Sequence, residues 1–75
     1  MNRMEAVNEL ENVSRFICRA LQDLFLIEVQ WSVIYRALLN QNENYPGLAL
    51  QRARAYLRGE MAWQHLINDI SVLLN

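Results

Sequence analysis

Lysine is absent from this chain, histidine and cysteine occur once each, proline once and glycine twice. Each shortage removes a class of explanation. A lone Cys18 makes no internal disulfide and a lone His65 brings no ligand cluster, so crosslinks and metals do not supplement the fold. Seven basic side chains, all Arg, stand against eight acidic ones for a formal charge of -1. That balance leaves no electrostatic footprint for nucleic acid. The most apolar stretch, Leu24 to Tyr35, is interrupted by Glu28, Gln30 and Ser32 and falls short of the ~20 residues a membrane span needs. The opening residues, MNRMEAVNELE, are polar and acidic where a secretory signal is basic and then apolar, so a soluble, cytoplasmic protein with one reduced thiol is expected.

What the chain does have is apolar surface, 53% of its 75 residues. A single domain this short buries only about 60–65% of the surface its unfolded form exposes. Partner association is the remaining way to supplement such a thin core.

Apolar and small residues recur at Ala6, Leu10, Val13, Ile17, Ala20, Leu24, Ile27, Trp31, Ile34 and Leu38, in alternating steps of four and three. This is a heptad seam, and no Gly or Pro interrupts it. It predicts one helix over about 3–40, supported by an i,i+4 pair of Glu11 and Arg15. The alternation of Ile27, Val29, Trp31, Val33 and Tyr35 is a competing strand signal, but nothing else in the chain offers it a partner edge. NQNENYPG, residues 40–47, is a helix end and turn, centred on 41–46, with Pro46 suited to a first helical position. A second helix over about 47–74 follows, its seam running through Ala49, Ala53, Tyr56, Glu60, Trp63, Ile67, Ile70 and Leu74. Gly59 marks a kink, a close contact or a split; the phase kept across it favours a continuous or kinked helix.

The expected fold is therefore all-α: one domain, 1–75, an antiparallel helical hairpin of two long helices in a coiled-coil-like arrangement, the second kinked or split at Gly59. The arms are unequal, so about ten N-terminal residues should overhang. A second apolar stripe, Cys18, Phe25, Leu26, Val29 and Val33, lies on the back of the first helix, where a two-helix hairpin leaves it in water. Such patches usually mark association surfaces. Either the second half splits at Gly59 and wraps the long helix as a three-helix monomer, or another chain covers the stripe.

No constellation of residues carries chemistry strongly. His65 with Asp69 one turn later is the pattern of an acid/base pair, but a boundary histidine explains it more simply. Cys18, beside Arg15 and Arg19, reads as a small hydrophobe more readily than a reactive thiol. Glu5, Glu9 and Glu11 complement a helix dipole without a metal. Arg52, Arg54 and Arg58 around Tyr56 suit a solvated rim or salt bridges better than phosphate contact. Trp31 and Trp63 fall on the two seams, as core anchors or as hot spots of a shared interface. No catalytic, cofactor or metal residues are assigned; the candidate partner-binding residues are Phe25, Leu26, Val29, Val33, Trp31 and Trp63.

Two helical stretches joined by NENYPG, the second running ALQRARAYLRGEMAWQHLINDI, resemble the small co-chaperones of bacterial type III secretion systems. The likeness spans the whole chain in plan and has no signature motif. It implies a helical hairpin that binds a tetratricopeptide-like chaperone and helps keep the needle subunit soluble before export. Residues 35–50, YRALLNQNENYPGLAL, are also locally similar to the helix, turn and proline segment of the small dimeric Rubisco assembly chaperones, which are considerably longer. The functional expectation is a non-enzymatic adaptor or co-chaperone that needs no cofactor and presents hydrophobic helix faces to a protein partner or to itself. The alternative is a homodimeric four-helix-bundle regulator that contacts nucleic acid through its arginines.

Overall fold

Asn2 opens the first helix: its side-chain Oδ1 accepts the Glu5 backbone N–H at 2.8 Å, satisfying one of the donors a helix start leaves free. In the computed structural model, which describes residues 1–75, this helix, α1, runs Arg3–Phe25, followed by α2 Trp31–Gln41, α3 Pro46–Leu57 and α4 Trp63–Leu74. The protein is all-α and contains no strand. The strand alternative for Ile27–Tyr35 is thereby excluded, since α2 begins at Trp31.

The single helix expected over about 3–40 is two helices. Leu26 ends α1 in the left-handed region at φ 57, and the N–H groups of Leu26 and Ile27 donate to the Gln22 and Leu21 carbonyls at 3.0 and 3.2 Å. No glycine or proline forces this break. Its cause lies in packing: a rod of nearly 40 residues would be about 57 Å long and would leave most of its seam uncovered. Folded at residues 26–30, the seam covers itself, so that Leu10, Val13, Ile17 and Leu21 of α1 join Ile34, Ala37 and Leu38 of α2 in one buried cluster. Tertiary burial outweighs local helix propensity here.

The turn between α2 and α3 is held by Asn42, which is buried and donates from its side chain to the Leu38 carbonyl at 2.7 Å. Glu43 and Asn44 both adopt positive φ, and the Asn44 N–H returns to the Leu39 carbonyl at 2.8 Å. Pro46 then opens α3, where its missing N–H has no partner to lose.

The expectation of a continuous or kinked second helix also fails. Gly59 takes φ 75, its N–H donates to the Tyr56 carbonyl at 3.1 Å, and the Glu60 N–H donates to the Ala55 carbonyl at 2.9 Å. This is a Schellman ending. Across it the Arg58 guanidinium clasps the Glu60 carboxylate through two hydrogen bonds of 3.0 Å. Glu60, the polar residue in the second seam, therefore sits in a turn and faces water.

The hairpin of two long helices is thus replaced by four helices. The second half does split at Gly59, but it does not wrap an intact long helix, because that helix folds as well. α1 packs on α2 and α3, and α2 packs in addition on α3 and α4. The expected N-terminal overhang is absent: Ala6 and Leu10 are 3% and 0% exposed. The core closes around Tyr56, Leu50, Leu66 and Ile70 together with the α1–α2 residues. A Cα radius of gyration of 11.2 Å matches the ~11 Å expected of a compact chain of this length. No helix is long and apolar enough to cross a membrane.

Candidate functional site

The helices differ in reach. α1 has 23 residues, α2 has 11, and α3 and α4 have 12 each. At ~1.5 Å per residue α1 is about 34 Å long and each of the others about 17 Å. Short helices cannot cover the whole of a long one, and what stays uncovered is the C-terminal end of α1. Leu24 lies seven residues, two turns, beyond the fully buried Ile17 and shares its face, yet it is 64% exposed. Phe25 and Leu26 are 44% and 86% exposed. The three make an apolar edge at the end of the helix, consecutive in sequence though fanned around its axis, and are flanked in sequence by the exposed carboxylates Asp23 and Glu28.

The residues singled out from sequence divide into two groups. Phe25 and Leu26 stand on this edge. Val29 and Val33 are half-buried and pack against the core, as does Cys18, so the back stripe is split between core and surface. Trp31 is half-buried, with the Arg15 guanidinium 4.3 Å above its ring and Tyr35 meeting it edge-on at 6.3 Å. Trp63 stacks on Tyr56 with ring centroids 5.4 Å apart, anchoring the start of α4. Both tryptophans are therefore engaged within the chain. The spacing of Leu24 puts it on the seam, but the structure puts it on the exposed edge. The signal that finds it is the length mismatch between helices, which appears only once the breaks are known.

The candidate chemical groups are not assembled. His65 is exposed, and the Asp69 carboxylate accepts from the Gln41 side chain, which removes the proposed partner of that histidine. The Cys18 thiol donates to the Val29 carbonyl at 3.0 Å. Arg15 bonds Asn12 at 3.2 Å rather than pairing with Glu11. Arg54 lies 3.6 Å from Glu9 and Arg58 is clasped by Glu60, so two of the three arginines around Tyr56 are matched by this chain's own carboxylates. No three of the His, Cys, Asp and Glu side chains gather as a metal site would require.

One buried group stands out electrostatically. The Tyr56 side chain is 1% exposed and its hydroxyl has no hydrogen-bond partner. Burial pushes this phenol above its ordinary value; the Gln41 amide opposes the rise, the Asp69 carboxylate adds to it and Arg52 subtracts from it. The Gln41 amide, already committed to Asp69, approaches without closing a bond of ordinary geometry. The nearby depression between α2 and α4, lined by Gln41, Asp69 and Val72, holds about 190 Å³ and is open to solvent. That volume is below the ~300–1,000 Å³ usual for a ligand pocket. Other large apolar side chains are exposed singly, Phe16 at 68% and Val72 at 71% among them, but only at Leu24, Phe25 and Leu26 are three of them consecutive. No family model, no curated protein and no solved structure matches this chain.

Proposed function

We propose that this protein is a non-enzymatic adaptor that docks to another protein through the α1 edge formed by Leu24, Phe25 and Leu26. The observation that carries the reading is the exposure of three consecutive large apolar side chains, 64%, 44% and 86%, at the end of the longest helix. Removing such side chains from water is worth ~25 cal/mol per Å². A matching partner offers an apolar helix stripe or groove rimmed by basic side chains, which would meet Asp23 and Glu28. The more specific form of the proposal is a co-chaperone of type III secretion, with a tetratricopeptide-like chaperone supplying the groove.

The test is co-expression with the products of neighbouring genes. A one-to-one complex with a helical-repeat chaperone is expected, and Phe25→Asp with Leu26→Asp should abolish it while the helicity of the chain alone stays unchanged. Survival of the complex in that double variant, or failure of every product to bind, would overturn the reading. Val29 is a poorer probe because it is half-buried against the core, where an aspartate would damage the fold as well.

A further inference from the structure

The connection between α1 and α2 has unusual properties for a turn. It contains neither glycine nor proline, and Leu26 is held at φ 57 although a leucine there gains almost no burial in return, being 86% exposed. The heptad steps Ala20, Leu24, Ile27, Trp31 and Ile34 also pass through it without losing phase. Straightened, the segment would make a single helix from Arg3 to Gln41. In that helix Leu24, Ile27 and Trp31 would form one unbroken stripe, whereas in the folded chain Leu24 is exposed and the other two are half-buried.

We infer that a second copy of this chain covers the edge, by exchange of α1 between two molecules. The 26–30 connection opens, α1 and α2 run on as one helix, and each α1 docks on the α2–α4 body of the other copy. The contacts that α1 makes with the helices of the body are remade across the pair, including burial of Leu10, Val13, Ile17 and Leu21 and the ion pair of Glu9 with Arg54. Exchange therefore gives up only the contacts of the connection itself, the packing of half-buried Ile27 and Val29 and the Cys18–Val29 hydrogen bond, while it relieves Leu26 and adds a new contact where the two long helices cross at Leu24, Ile27 and Trp31. The connection after α3 stays closed because Gly59 adopts its positive φ without strain, whereas Leu26, held by two return hydrogen bonds of its own, carries a side chain in that region. The inference concerns the purified chain alone and stands whether or not the adaptor reading holds.

The experiment places single cysteines at Glu9 and Arg54 in a Cys18→Ser background and joins them with a short bismaleimide after size separation with mass measurement. The chain is first incubated at millimolar concentration under mildly destabilising conditions, so that exchange reaches equilibrium. A dimer whose 9–54 linkage runs between chains, beside a monomer linked within the chain, is the expected result. In otherwise wild-type protein, Leu26→Gly should weaken the dimer about tenfold or more by easing the turn. Leu24→Asp should weaken it while leaving the monomer's thermal midpoint in place, because Leu24 is solvent-exposed there. A chain that stays monomeric after this treatment, or a dimer whose 9–54 linkage remains within each chain, would overturn the inference.

Discussion

Two turns in this molecule do the same job with opposite materials. At residues 58–62 the helix ends on Gly59, with two return hydrogen bonds and the Arg58–Glu60 clasp to close it. At residues 26–30 the helix ends on a leucine in the same left-handed region, exposed to water and flanked by residues that would all accept a helix. The first turn is specified locally. The second also closes two return hydrogen bonds, from Leu26 to Gln22 and from Ile27 to Leu21, but it sets a leucine in the left-handed region, and it exists because folding α2 back buries the seam. A turn of the first kind survives changes elsewhere, whereas a turn of the second kind is as strong as the core that imposes it.

The comparison breaks most completely from inside the core. Leu38→Ala removes a fully buried side chain that α2 contributes to the shared cluster, and a loss of about 2–5 kcal/mol is expected by chemical denaturation. Amide exchange should show the 26–30 turn opening before the 58–62 turn does. Next in size are two glycine exchanges of opposite sign. Gly59→Ala should cost about 1 kcal/mol, since a side chain is strained at its φ of 75 although the space around it is open. Leu26→Gly should stabilise the monomer by about 0.5–1 kcal/mol; equal signs in thermal melts would mean that the two turns are not of different kinds.

A smaller effect depends on pH. The Tyr56 phenol titrates above its ordinary value of 10.0 because of burial, so the unfolded chain loses this proton first as alkalinity rises. Its contribution is complete below pH 10 and drains away as pH climbs from there through the folded value. Tyr56→Phe should blunt that alkaline decline and, by deleting an unpartnered hydroxyl, be neutral or stabilising by up to about 1 kcal/mol near neutrality. The smallest change belongs to Arg58→Ala, whose clasp is exposed to solvent, with the midpoint expected to stay within error at moderate salt.

What the sequence revealed follows the same division. The periodicity placed Leu10, Val13, Ile17, Ile34, Leu38, Ala49, Ala53, Tyr56 and Ile70 inward, and all are buried, because a helical face is a local property. Gly59 is legible as a candidate break, yet unbroken phase reads as continuity; phase is preserved by a turn as readily as by a helix when the next helix packs elsewhere. The break at Leu26 carried no local signal at all, since it is decided by contacts between residues some 20 positions apart. Of the candidate surface, Phe25 and Leu26 were legible as apolar residues off the main seam. Val29 and Val33 were not separable from them, because the fold-back that partly buries those two was itself unforeseen.

Cys18 adds a consequence of its own. Its thiol is the only one in the chain and is tethered to the Val29 carbonyl inside the leucine-capped turn. Because this thiol is only half-buried, a thiol reagent consumes it at a basal rate that should rise when that turn lets go. The protein carries its own clock on the event, and needs no substitution to be read.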